Sequence, residues 1–104
     1  GQWKDLGMVI RSSASTTYNA IDPAFSIYNQ KPYLTFGSWH SGIYSIELDS
    51  STLKPVSTNP TQIAYRTSQN EAVEGPAIWN PGNGYYYLIS LKYQPSCYIR
   101  LIIS

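Results

Sequence analysis

The chain has 104 residues and a net charge of +1, and only 12% of its residues are charged, with Lys and Arg scattered along it. This balance excludes a basic stripe that would bind nucleic acid, and no apolar run reaches the roughly 18 residues of a membrane-spanning helix. The single cysteine, Cys97, excludes an internal disulfide. An aromatic content of 14%, with ten tyrosines, favours stacked β-sheets and a surface for neutral, hydroxyl-rich ligands.

The first part of the chain is predicted to contain two strands. Residues 3–10 alternate loosely between apolar and polar side chains, which predicts a strand, and the polar run over residues 11–17 predicts a loop. Residues 21–28 alternate with period two and therefore predict a second strand. Pro23 lies in the first positions of this run, where a strand tolerates proline.

Three further strands complete the first half. Turn-forming residues separate strands predicted over residues 33–38 and 43–48. Residues 49–60 are rich in turn formers and prolines, so they predict a long exposed loop. A short strand is predicted over residues 62–66, and the polar residues 67–71 lead into the second half.

The second half repeats this arrangement but is shorter. Strands are predicted over residues 72–79, 85–91 and 98–103, with a turn over residues 80–84 that contains Asn, Pro and Gly. No segment shows the sustained apolar spacing of three and four that a helix would need. The fold is therefore predicted to be all-β.

An internal repeat relates the two halves. Residues 19–25 and 72–78 each set one carboxylate, Asp22 or Glu74, ahead of a proline and an alanine, and a turn and an aromatic-rich segment follow each copy. Units of about 40 to 50 residues with four short strands are typical of propeller blades. We therefore predict part of a β-propeller, with an acidic side chain at an equivalent place in two successive blades.

The repeat also predicts the domain organisation. Residues 1–17 are assigned to the outer strand of a preceding blade and its loop, residues 18–70 to a complete blade, and residues 71–104 to an incomplete following blade. A propeller needs at least about four blades to close. The chain is thus expected to be either a piece of a larger protein or a truncated product that covers its open edges in another way. Open blade edges are expected to promote self-association.

Several motifs together resemble a known family. They are YNAIDP at residues 18–23, PYLTFGS at 32–38, SGI at 41–43, VEGP at 73–76 and GYYYL at 84–88. In these segments the chain resembles the family 43 glycoside hydrolases, specifically the endo-1,5-α-L-arabinanases, which are five-bladed β-propellers. The resemblance runs from about Trp3 to Leu91.

The resemblance implies an inverting glycoside hydrolase, secreted, that cleaves α-1,5-arabinofuranosyl links in plant arabinan. Members use three carboxylates, and by motif Glu74 falls on the general acid and Asp22 on the aspartate that tunes the pKa of the acid and orients it. The base precedes both in the family. Only Asp5 comes earlier here, in a segment interpreted as an outer strand, so the chain alone is predicted to lack the base and to be inactive.

Three neighbouring residues are predicted to bind substrate. Asn19 is expected to orient either Asp22 or the sugar, Ser38 to bond a sugar hydroxyl, and Trp39 either to stack on a sugar ring or to pack in the core. His40 is interpreted as a solvated loop residue. The remaining acids are interpreted as surface charges: Glu47, Asp49 and Glu71.

No cofactor and no metal are predicted, because no residues have zinc-ligand spacing and no glycine-rich turn suits a phosphate. Two alternatives to the arabinanase hypothesis stay open. One is a truncated, inactive propeller piece that binds at most a sugar or a protein. The other is an exo-acting α-L-arabinofuranosidase or β-xylosidase of the same family. Asp22 itself has a purely structural alternative as a residue that caps the entry to a strand.

Overall fold

The computed structural model describes residues 1–67, 73–92 and 98–103. These residues form strands and no helix, so none of them belongs to a helix able to cross a membrane. The strands are β1 (Ala24–Tyr28), β2 (Lys31–Phe36), β3 (Ile43–Glu47), β4 (Thr61–Ala64), β5 (Val73–Trp79), β6 (Tyr87–Lys92) and β7 (Tyr98–Ile103). The all-β prediction is therefore confirmed for the part of the chain that is described.

The strands form two antiparallel sheets in chain order, β1-β2-β3-β4 and β5-β6-β7. In the first sheet Leu34 lies opposite Phe25 on one side and Ile46 on the other, so the period-two alternation places apolar side chains on one face. Buried Phe36, Tyr44, Ile46 and Leu48 form the core of that face.

The N-terminal segment covers this core without forming a strand. Val9, Ile10 and Tyr18 pack against the core cluster. The rings of Tyr18 and Phe36 are in edge contact, with their centroids 5.5 Å apart. The prediction of a strand over residues 3–10 is wrong, because the segment makes side-chain contacts in place of a ladder of backbone hydrogen bonds. The ammonium of Lys54 donates hydrogen bonds to the carbonyls of Leu6 and Met8 at 2.6 and 2.9 Å, and these bonds stabilise the position of the N-terminal segment.

Strand boundaries differ from the predictions by at most three residues, and the largest difference lies at the strand predicted over residues 21–28. The predicted strand over residues 21–28 begins only at Ala24. Asp22 has φ 55°, and this left-handed backbone cannot continue an extended strand. The division into residues 1–17, 18–70 and 71–104 stays a prediction, since its boundaries in part fall outside the described residues.

The two sheets face each other across a cleft, and several apolar side chains of their outer faces stay exposed. The rings of Tyr28 and Tyr86 meet at 4.8 Å and connect the first sheet to the second. Large apolar side chains are exposed on β1 and on β7: Phe25, Ile27, Ile99, Leu101 and Ile103. Exposed apolar surface of this kind favours association, and self-association of the chain stays a prediction.

The hairpin between β1 and β2 yields a stability prediction. Tyr28 pairs with Lys31, so Asn29 and Gln30 form a two-residue loop, and both have positive φ, 48° and 65°. Such a loop favours Asn followed by Gly, because glycine adopts positive φ without strain. Gln30→Gly is therefore expected to raise the free energy of unfolding by about 1 kcal/mol in denaturant titrations. Gln30→Ala, which keeps a Cβ, is the control; equal stabilisation by both variants would contradict the explanation.

The start of β3 yields a second prediction. Gly42 has φ +91°, and a Cβ there would lie 2.2 Å from the carbonyl oxygen of Ala64 in the neighbouring strand. Gly42→Ala is expected to lower the free energy of unfolding by about 2–5 kcal/mol through backbone strain and the clash. The control, Gly82→Ala, has a similar φ of +83° but no atom within 4 Å of the new Cβ, so it should cost only about 1–2 kcal/mol. Equal losses in the two variants would show that the contact with β4 is unimportant.

Candidate active site

Glu74 is the second residue of β5, where this strand meets the first sheet. The register between β5 and β6 shifts between Glu74 and Ala77, so the segment Gly75–Pro76 forms an irregularity that separates Glu74 from the regular part of the strand. The side chain is half-buried, and the hydroxyl of Ser38 donates a hydrogen bond of 2.8 Å to its Oε2. No second partner of the Glu74 carboxylate occurs among the described residues.

Backbone contacts join the two sheets at the same point. Ser38 and Glu74 form an isolated antiparallel bridge, and the N–H of Trp39 donates to the carbonyl of Val73 at 2.9 Å. These contacts fix the residues that follow β2 against the beginning of β5. The carboxyl group of Glu74 is positioned by residues of the preceding sheet as well as by its own strand.

Asn19 forms a hydrogen bond with the backbone of Ser38. Its Nδ2 donates to the carbonyl oxygen of Ser38 at 2.6 Å, and the side chain is half-buried. Sequence reasoning expected Asn19 to orient Asp22 or the sugar, and the hydrogen bond that the structure gives its side chain goes to Ser38 instead. Its role toward substrate stays a prediction.

Asp22 lies next to the same segment. The carbonyl of Ile21 accepts a 2.9 Å hydrogen bond from the N–H of Gly37, which precedes Ser38. Asp22 follows Ile21 in left-handed backbone, and its side chain is exposed. Residues 37–38 therefore contact the two segments that carry the predicted carboxylates, since Gly37 hydrogen-bonds to the residue before Asp22 and Ser38 hydrogen-bonds to Glu74.

Trp39 and His40 follow Ser38 in a strained turn. Both have positive φ, 51° and 52°, and the N–H of Gly42 closes the turn on the carbonyl of Trp39 at 2.7 Å. Trp39 is half-buried, so a core role and a sugar-stacking role both stay predictions. His40 is exposed, as expected for a loop residue, and its Nε2 lies 3.3 Å from the carbonyl of Thr16.

The other described carboxylates are engaged elsewhere. Asp5 accepts a 2.7 Å hydrogen bond from the N–H of Gly7 within the exposed N-terminal segment. Glu47 lies 3.5 Å from the ammonium of Lys31. Backbone hydrogen bonds from Thr52 and Ser51 lower the pKa of Asp49, which is fully exposed in a turn. Glu71, the remaining acid, lies outside the described residues.

A cleft between the two sheets lies away from the predicted carboxylates. It has a volume of about 890 Å³ between the facing surfaces of the two sheets, and its walls include Thr35, Ser45 and Tyr86 but none of the five predicted site residues. Burial and the neighbouring carboxylate of Glu47 raise the pKa of Tyr33 in this cleft. Because Glu74 and Asp22 do not line this cleft, it is not assigned as the reaction site.

In residues 1–67, 73–92 and 98–103, no three acidic, His or Cys side chains are close enough together to hold a metal ion.

Comparison with known proteins places the chain in a family. The model of glycosyl hydrolases family 43 matches residues 1–94. The chain belongs to this family. It is 47% identical over 90 residues to the extracellular endo-α-(1→5)-L-arabinanase 1 of Bacillus subtilis, a match that covers 86% of this chain and 27% of the relative. It is 45% identical over 87 residues to the probable arabinan endo-1,5-α-L-arabinosidase C of Aspergillus niger, covering 83% of the chain and 27% of that relative.

A solved structure of the family confirms the fold. The family 43 endo-arabinanase of Bacillus licheniformis superimposes with a TM-score of 0.87 at 39% identity, covering 99% of this chain and 37% of that protein. The two sheets are blades of a partial five-bladed propeller, as predicted. The chain spans about a quarter of the length of the curated family 43 relatives it matches.

Sequence reasoning missed the connection between Ser38 and Glu74. The two residues are 36 positions apart, so no local pattern reports their contact. The available signal was indirect, because Ser38 ends the strand segment of the first repeat and Glu74 begins that of the second.

The bond between Asn19 and Ser38 generates a prediction with a pH dependence. Asn19→Asp replaces the donor by a carboxylate oxygen that faces a carbonyl, so the free energy of unfolding at neutral pH is expected to fall by about 1–3 kcal/mol. The fold favours the protonated form of the introduced carboxyl, which raises its pKa. The loss relative to the parent chain should therefore be smallest below about pH 4 and should grow as pH rises through the raised pKa.

Denaturant titrations of both chains between about pH 3 and pH 7 measure this difference. Asn59→Asp is the control, since Asn59 is an exposed loop residue. A difference between the Asn19→Asp variant and the parent chain that stays constant over this range would contradict the assigned hydrogen bond.

Proposed function

We propose that the chain is part of a secreted, inverting endo-arabinanase that cleaves α-1,5-arabinofuranosyl links in plant arabinan. In this proposal Glu74 is the general acid, and Asp22 is the aspartate that keeps the acid protonated and orients it. Hydrogen bonds join Asn19 to Ser38 and Ser38 to Glu74, and Trp39 follows Ser38 in the chain. Membership of glycosyl hydrolases family 43 and the endo-acting names of the curated relatives support the proposal. The Bacillus subtilis relative is named extracellular, which supports secretion.

One observation carries the proposal: residues 37–38 hydrogen-bond to Glu74 and to Ile21, the residue before Asp22. Ser38 donates to Oε2 of Glu74, and in this proposal Oε1 carries the proton for the leaving group. In inversion, one carboxyl protonates the departing oxygen while a second, about 6.5–9.5 Å away, activates water on the opposite face of the sugar. An anionic aspartate near the acid disfavours loss of its proton.

The general base is not among the residues assigned here. Asp5 makes a local turn in the exposed N-terminal segment, and Glu47 and Asp49 are engaged far from Ser38 along their own loops and strands. In this proposal the base belongs to a blade outside the chain, in line with the 27% of each curated relative that the chain matches. The polypeptide alone should then show no turnover of arabinan.

A hybrid enzyme tests the roles of the two carboxylates. In this hybrid, the chain replaces the matching part of the Bacillus subtilis arabinanase, and hydrolysis of debranched arabinan is measured. Glu74→Gln is expected to lower kcat by roughly 10²-fold or more, because an alkoxide leaving group needs the proton. Asp22→Asn should also lower kcat, by a smaller factor, since Asp22 acts through Glu74.

Glu47→Gln is the matched control, because it removes a carboxylate that pairs with Lys31 outside the candidate site. Its activity should stay within about twofold of the parent hybrid. A loss of only a few-fold in the Glu74→Gln hybrid, with the parent hybrid active, would remove Glu74 from the acid role.

A further inference from the structure

Ser38 connects the residues of the candidate site to one another. Its hydroxyl donates to Oε2 of Glu74 at 2.8 Å, and its carbonyl accepts from Asn19 at 2.6 Å. The side chain and backbone are only 8% exposed. Ser38 is therefore buried, and its hydroxyl is engaged with Glu74.

The backbone around Ser38 is fixed on both sides. The N–H of Gly37 donates to the carbonyl of Ile21, and the N–H of Trp39 donates to the carbonyl of Val73, each at 2.9 Å. With three consecutive residues held in this way, the hydroxyl of Ser38 reaches Glu74 from a defined direction. A short hydrogen bond from a fixed donor restricts the rotation of a carboxyl group.

We propose that Ser38 is a positioning residue for the general acid. This inference rests on the proposed function of Glu74. By donating to Oε2, Ser38 keeps that oxygen as a hydrogen-bond acceptor, and the transferable proton is then carried by Oε1 and directed away from the sheet junction. Ser38 thus determines which oxygen of Glu74 protonates the leaving group. This role differs from the sugar contact that the sequence suggested.

The leaving group distinguishes this role from a purely structural one. Cleavage of arabinan expels an alkoxide and needs the proton of Glu74, whereas an arabino-oligosaccharide with a dinitrophenyl leaving group expels a stable anion and does not. A variant with a misdirected acid therefore loses activity on arabinan and keeps it on the aryl substrate. A variant with a distorted fold loses activity on both.

The test measures Ser38→Ala in the hybrid enzyme on both substrates. We expect kcat on arabinan to fall about tenfold with little change in KM, because general acid catalysis depends on a donor within hydrogen-bond reach. On the aryl substrate, kcat should stay within about twofold. Ser38→Thr retains the hydroxyl and should restore most of the activity on arabinan.

Ser90→Ala is the matched control. Ser90 is 1% exposed, and within the described part of the chain its hydroxyl has no hydrogen-bond partner. The variant therefore also removes a buried serine hydroxyl, but one outside the junction. Both kcat values should match those of the parent hybrid.

The outcomes separate the two proposals. A Glu74→Gln loss that is equal on both substrates overturns the acid role of Glu74. If Glu74→Gln shows the leaving-group dependence and Ser38→Ala does not, only the positioning role is overturned. A Ser38→Ala variant with raised KM and unchanged kcat would likewise overturn it and assign Ser38 to sugar binding.

A measurement on the chain itself does not depend on activity. Three-bond couplings from NMR report the χ1 rotamer of Glu74 in the 104-residue chain. We expect one rotamer in the parent and averaged rotamers in Ser38→Ala, with Ser90→Ala unchanged. A single, unaltered rotamer in Ser38→Ala would overturn the positioning role even if Glu74 is the acid.

Discussion

The hydrogen-bonded junction between the two blades is the constraint on which the rest of the candidate site depends. Ser38 and Glu74 pair across it, and the adjoining backbone pair of Trp39 and Val73 fixes its direction. Each of these polar groups is at least partly removed from water, so a blade that moved away would leave donors and acceptors unpaired at a cost of about 1–3 kcal/mol each. The same contacts that join the blades therefore determine where the carboxyl group of Glu74 lies.

Apolar packing and polar pairing have different roles in this arrangement. Packing of aromatic rings, such as Tyr28 against Tyr86, brings the facing sheets together but tolerates small sliding, since it is not directional. The hydrogen bonds at Ser38 and Trp39 are directional, and they fix the alignment of the residues after β2 with the beginning of β5. A propeller can bury its core with many side chains of suitable size, whereas the position of an acid within an active site needs geometry of this second kind.

The sequence predicts the strands better than it predicts the junction. Turn-forming residues located β2 and β3 to within two residues, because they mark where the chain reverses between antiparallel strands. Residues 3–10 alternate loosely but pack as an irregular segment, since alternation does not report whether a strand edge is available. The internal repeat identified Asp22 and Glu74, yet the contact of Ser38 with Glu74 depends on how two sheets approach, which no local pattern contains.

The distribution of backbone strain gives an independent argument about Asp22. Among the described residues other than glycine, Asn29, Gln30, Trp39, His40 and Leu53 have positive φ in loops between strands, where a reversal of the chain requires it. Asp22 also has positive φ but precedes β1, and the residue before it hydrogen-bonds to Gly37 beside Ser38. A strand-entry cap would need no left-handed backbone at this position, because a strand is entered readily from extended conformations. Strain of about 1–3 kcal/mol per residue persists where surrounding contacts over-determine the backbone, and such sites are concentrated in functional regions. The strain beside Ser38 therefore favours a functional role for Asp22 over a purely structural one.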